Sequence, residues 1–206
     1  MNDDQFTLVR RDMHRRFGLM FAPETIDRVL DEIIDEHVSG ARISTFMAVM
    51  VEREASERFE EMASEQQLET RRRKELLFVC RRNAGRSQLA SAITRHLVGN
   101  EVLHRSVGLE PSHGIDETVL EVLRERGIST DGLYQKTIVP RTVHTSDVVV
   151  LMGVDGVPGV PGHRYVTWDV ADPEGQPIDK VREIADDVER RVRELLDELE
   201  VFQASA

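Results

Sequence analysis

Cysteine is almost missing from these 206 residues: Cys80 is the only one. A single cysteine excludes an internal disulfide and points to a reducing compartment, the cytoplasm. The sequence also has no apolar stretch of about 18 residues and no charged-then-apolar leader, so no membrane span or export signal is expected. Positive charge is in deficit. The 38 Asp and Glu outnumber the 27 Lys and Arg, giving a net charge of −11, which argues against nucleic acid and anionic membranes as partners. There is no dinucleotide fingerprint and no nucleotide-type phosphate loop with Lys. The histidines His104, His113, His144 and His163 are scattered without metal-ligand spacing, so no metal site is expected.

The acidity is uneven. Residues 1–70 carry 16 acidic against 8 basic residues, and residues 71–206 carry 22 against 19. The change falls at Glu69-Thr70-Arg71-Arg72-Arg73-Lys74, which reads as a boundary between an N-terminal helical bundle (1–70) and a second domain (74–206). In the first segment Phe6 to Phe17 reads as a short helix. Pro23 opens a second, with Ile26, Val29, Leu30, Ile33 and Ile34 at helical spacing and Ser39-Gly40 as its stop. A third runs from about Ser44 to Ala63 and carries Phe46, Val49, Met50 and Phe59. Met13, Met20, Met47, Met50 and Met62 read as core filler. Three amphipathic helices make a small bundle that could also form a homodimer.

The second segment alternates strand and helix signals. Strands are expected at Leu76–Val79, Val102–Val107, Asp147–Met152 and Arg164–Trp168. Helices are expected from Ser87 to about Leu97, from Ile115 to Arg126 with Val119, Leu120, Val122 and Leu123 inside, and from Ile178 to about Val201. A short turn of helix is expected at Pro140–His144. This order predicts an α/β fold: a four-stranded parallel sheet with helices on both faces, wound as in flavodoxin. Ligands of such sheets sit beyond the carboxyl ends of the strands, where Cys80 falls.

The segment Phe78-Val79-Cys80-Arg81-Arg82-Asn83-Ala84-Gly85-Arg86-Ser87-Gln88 reads as strand, loop and helix start. That order aims backbone N–H groups and a helix dipole into the loop, where they favour an anion. Arg86, six residues after Cys80, can fold back with a planar fork of donors suited to a tetrahedral oxyanion. A thiol so placed is expected to act as a thiolate nucleophile.

The loop resembles the phosphate loop of the low-molecular-weight protein tyrosine phosphatases and of the arsenate reductases built on that fold, with Asn-Ala-Gly-Arg-Ser-Gln closer to the reductases. Ser106-Val107-Gly108, Asp147–Gly153 and Trp168-Asp169-Val170-Ala171-Asp172-Pro173 extend the likeness over about residues 74–200. The preceding helices resemble an N-terminal extension of some actinobacterial members. The resemblance implies Cys80 as nucleophile, Arg86 as oxyanion clamp and Asp172 as general acid for the leaving oxygen. It implies Arg81, Arg82, Asn83, Ala84, Gly85, Arg86 and Ser87 as the oxyanion-binding loop, with Ser87, Asn83 and Ser106 in support. Asp169, Asp155 and Asp179 are weaker candidates for the acid.

Two departures bear on function. Thioredoxin-linked reductases of this type carry two more cysteines after the third strand, where this chain reads Met152-Gly153-Val154-Asp155-Gly156-Val157-Pro158. The resemblance then implies an external low-molecular-weight thiol of the mycothiol kind, with a glutaredoxin-like protein to regenerate it and no bound cofactor. Second, Arg81-Arg82 stand where the family usually has uncharged residues or His, either adding positive potential at the mouth or pointing to solvent. The expected activity is arsenate reduction. One alternative is a phosphomonoesterase acting on phosphotyrosine, disfavoured because Glu174-Gly175-Gln176 follows Asp-Pro and only Tyr134 and Tyr165 are available to wall a phenyl ring. The other is a non-catalytic oxyanion-binding module.

Overall fold

The computed structural model describes residues 4–40, 47–68, 72–157 and 162–201. The chain divides into two compact units, Met1–Arg73 and Lys74–Ala206.

The first unit consists of α1 (Asp4–Phe17), α2 (Pro23–Gly40) and α3 (Met47–Glu65). Its core joins Met13 and Phe17 of α1, Ile26, Val29, Leu30 and Ile33 of α2, and Val51, Ala55 and Phe59 of α3. Phe59 is the hub, with its ring centroid 4.9 Å from Phe17 and 5.5 Å from Phe21. One sequence expectation fails here. The buried stripe of α3 is Met47, Val51, Ala55, Phe59 and Ala63, at strict four-residue spacing. Val49 and Met50 lie off it and are exposed, so Met50 fills no core. The alternation of Met, Val and Ala with Glu and Arg left two stripes possible, and small alanines mark the buried one. The last described residue of α2 is Gly40, where its stop is expected. Residues 41–46, with the expected start of α3 and Phe46, lie outside the described residues, as do Arg71 of the boundary and Pro158.

The second unit is built on β1 (Glu75–Cys80), β2 (Leu103–Gly108), β3 (Val148–Met152) and β4 (Tyr165–Trp168), all parallel in the order β2-β1-β3-β4. β1 and β3 are buried along their whole length, as continuous apolar runs in a two-sided parallel sheet must be. The helices α4 (Arg86–Val98), α5 (Glu117–Glu125) and α7 (Ile178–Glu198) are joined to one face through Leu76, Phe78, Val148 and Val150. The short α6 (Pro140–Thr145) covers the other through Leu77, Val79, Val149 and Leu151. Each fully buried side chain of this size contributes roughly 1.5–3 kcal/mol, so the central strands anchor the unit. α5 starts later than its periodicity suggests because Asp116 caps it, accepting from the N–H of Thr118 and of Val119. Ile115 therefore precedes the helix, and Leu120 is half-buried.

Register places the site. Cys80, the last residue of β1, lies opposite Gly108 on one side and Met152 on the other. The loops after β1, β2, β3 and β4 therefore meet at one edge of the sheet.

Candidate active site

Asn83 holds the loop between Cys80 and α4. Its φ is +53°, a left-handed conformation that Asn tolerates better than most residues. All four of its polar groups are used. The N–H donates to Cys80 Sγ at 3.2 Å, Nδ2 to Ser87 Oγ at 2.8 Å, Oδ1 accepts from the Lys136 N–H at 2.8 Å, and the carbonyl accepts from Gln88 Nε2 at 3.1 Å. Asn83, Ser87 and Gln88 are fully buried.

Cys80 is 3% exposed, and its Sγ lies 3.0 Å from Ser87 Oγ. Asn83 already donates to the Ser87 oxygen, so the serine's own proton is directed at the sulfur. Two donors thus converge on Sγ, just before the N-terminal end of α4.

Arg86 opens α4 and extends across the pocket with its side chain 11% exposed. Nη2 pairs with Asp172 Oδ2 at 2.8 Å, and Nη1 reaches the Val170 carbonyl at 3.5 Å. Nε is buried and has no partner among the described residues, so a donor remains for an oxyanion.

Two glycines make this arrangement possible. A Cβ at Gly153, where φ is +65°, would lie 2.2 Å from Arg86 Nη1. A Cβ at Gly108 would lie 2.8 Å from the Asn83 nitrogen and 2.9 Å from the Arg81 oxygen. The acid loop packs equally closely: a Cβ at Gly85 would lie 2.4 Å from Pro173 Cγ. Asp172, Pro173 and Glu174 thus dock in succession on Arg86, Gly85 and Arg82.

Arg81 and Arg82 both turn to carboxylates. Arg81 is exposed and pairs with Glu110 at 3.2 Å, while Arg82 pairs with Glu174 across the mouth. Much of the positive potential expected of them is offset. Ala84 is buried and its carbonyl receives the Asp116 N–H at 3.0 Å. Among the candidate acids only Asp172 reaches Arg86. Asp169 and Asp155 are exposed, and Asp179 binds Arg182 at 2.6 Å. Ser106 lies in β2 opposite Phe78, two residues short of the Cys80–Gly108 level. His113 is exposed at φ +66°, and among the described residues no three His, Cys, Asp or Glu gather as a metal site.

Sequence reasoning assigned no part to Gln88 or Gln135. Gln88 Nε2 ties Asn83 to the Tyr134 carbonyl at 3.0 Å. Gln135 Nε2 donates to the carbonyls of Arg82 (2.8 Å) and Ser112 (3.0 Å), and its Oε1 accepts from the Gly114 N–H at 2.9 Å. Gln88 stood inside the quoted motif. Gln135 carried no local signal.

Comparison with known proteins agrees with this geometry. Residues 9–63 match the protein-tyrosine-phosphatase-like N-terminal domain. The glutaredoxin arsenate reductase of Synechocystis is 31% identical over 127 residues, covering 60% of this chain and 96% of its own. The structure of a thioredoxin-dependent arsenate reductase from Corynebacterium glutamicum superposes with a TM-score of 0.55 at 30% identity, covering 98% of this chain and 99% of its own. An arsenate reductase in the phosphate-binding state gives a TM-score of 0.56 at 29% identity, over 61% of this chain and 98% of its own. Residues 75–204 match the low molecular weight phosphotyrosine protein phosphatase, and the chain is an enzyme of that family.

Proposed function

We propose that the chain is an arsenate reductase that works with one cysteine and an external thiol. The observation that carries this reading is Cys80 Sγ held by Ser87 Oγ and the Asn83 N–H, with Arg86 Nε left without a partner among the described residues. Similarity to arsenate reductases, including one in a phosphate-binding state, supports the choice of a tetrahedral oxyanion.

In this scheme arsenate takes the Arg86 guanidinium, and backbone N–H groups from Arg81 to Ser87 receive its oxygens. Displaced from Arg86, Asp172 is free to carry a proton. The Cys80 thiolate attacks arsenic, an S–As bond forms, and the departing oxygen leaves as water with the proton from Asp172. An external thiol then displaces Cys80 from arsenic, taking over the As(V) adduct. A second thiol attacks the sulfur of that adduct. The two sulfurs become a disulfide, and the electron pair of the broken S–As bond remains on arsenic as arsenite. The chain has no second cysteine, so both electrons come from outside it. A mycothiol-type thiol with a glutaredoxin-like partner fits this need. The relatives named for glutaredoxin and thioredoxin make a protein thiol the competing donor.

The test is arsenite release from arsenate with mycothiol, glutathione, glutaredoxin or thioredoxin, alongside aryl-phosphate hydrolysis on the same preparation. Arsenite formation that needs an added thiol and disappears in Cys80→Ser is expected. Aryl-phosphate turnover without arsenite would assign the site to the phosphomonoesterase reading.

A further inference from the structure

A hollow of about 170 Å³ lies between α4, β2 and the segment before α6, walled by Ser91, Arg95, His104, Arg105, Ser106 and Lys136, with Gly132 and Leu133 at its edge. A cavity of roughly 150 Å³ accommodates a six-membered ring, so a compact ligand fits. No carboxylate lines it, although acidic residues outnumber basic ones 38 to 27 in the chain.

The balance of charge in its wall is positive. Arg105 Nε is matched by Glu75 Oε1 at 2.9 Å. Arg95 and Lys136 are held by neutral groups. Arg95 donates to the carbonyls of Asp131 (2.9 Å) and Ser129. Lys136 Nζ donates to the Tyr134 carbonyl at 3.3 Å and sits 4.0 Å from that residue's ring centroid. Carbonyls and a ring orient these cations without neutralising them. Ser106 is 1% exposed and lines the hollow.

We propose that this hollow binds a small phosphate- or sulfate-bearing anion at a site separate from Cys80, with Arg95, Lys136 and the Ser106 hydroxyl as its ligands. Burial lowers the Lys136 pKa from its ordinary value, a cost that a bound anion offsets. The site is also joined to the catalytic loop. The Lys136 N–H donates to Asn83 Oδ1, and the Lys136 carbonyl accepts from the Gly108 N–H, each at 2.8 Å. A ligand drawing on the Lys136 side chain therefore acts on the segment that braces Asn83.

The test uses the full chain carrying Arg86→Ala, which removes the guanidinium beside Cys80. Calorimetric titration with sulfate, and with glycerol 3-phosphate to tell a free ion from an organic phosphate, should still show one site. Adding Lys136→Met or Arg95→Gln should weaken it by more than about tenfold, the loss of one charge-assisted hydrogen bond. The main-chain bonds of Lys136 survive both changes. Crystals of the unaltered chain soaked in selenate give a second reading, with an anomalous selenium peak expected in the hollow. Absence of binding to the Arg86→Ala chain at tens of millimolar, affinity unchanged by Lys136→Met and Arg95→Gln, or a selenate soak without that peak would each overturn the assignment.

Discussion

At the scale of single residues, Cys80 depends on groups that hold its loop in shape. Ser87→Ala removes the hydroxyl at 3.0 Å from sulfur and leaves the Asn83 amide with one partner fewer. We expect the rate of Cys80 alkylation by iodoacetamide at neutral pH to fall at least about fivefold, the effect of losing a hydrogen bond of roughly 1 kcal/mol to the charged form. Gly153→Ala places a methyl group against Arg86 Nη1 and strains a backbone at φ +65°. Because it displaces the clamp and leaves the sulfur in place, phosphate affinity measured by calorimetry should drop by about tenfold or more. Alkylation of Cys80 in the absence of phosphate should remain near that of the unaltered chain. Equal loss of both would show that Gly153 supports the whole loop.

At the scale of elements, the acid loop and the phosphate loop work as a docked pair. Gly85→Ala would drive a Cβ into Pro173, so arsenite formation should fall by about tenfold or more through misplacement of Asp172, with Cys80 alkylation little changed. An unchanged turnover would mean that the loop yields freely. α1 and α2 carry a further prediction. The hydrogen bond from His14 and then that from Arg10 hold the Asp27 carboxyl below its ordinary value. A carboxyl depressed on folding stabilises fully above its unfolded value and loses that contribution as pH falls through its folded one. The melting temperature of the full chain should therefore decline on acidification below about pH 4, and Asp27→Asn should flatten that decline. Much of this architecture was legible in the sequence. Leu76–Val79 and Val148–Met152 are apolar without interruption because both faces are covered, and that pattern is local. Cys80, Arg86 and Asp172 stood out through their spacing and flanking residues. The parts played by Gly108, Gly153 and Gln135 were not legible, because each acts by close approach to a residue far away in the chain. The α3 stripe was misread for a related reason: Ala55 and Ala63 carry little hydrophobic signal, yet both are buried in the bundle core.

At the scale of the whole molecule, two units of different character share one chain. The first is a three-helix bundle with its own core; the second carries every residue assigned to the chemistry. Similarity over 98% of the chain to the Corynebacterium glutamicum reductase shows that the pairing recurs. If the bundle assembles subunits, light scattering on the full chain should give twice the monomer mass at micromolar concentration, and a monomer would remove dimerisation from the reading. The central claim concerns one sulfur, and the absence of any other cysteine makes it directly measurable. Intact-mass kinetics of iodoacetamide alkylation at neutral pH, with and without phosphate or arsenate, should show fast single-site labelling that either oxyanion suppresses. Labelling as slow as that of an ordinary buried thiol, or at a rate indifferent to both oxyanions, would contradict the account.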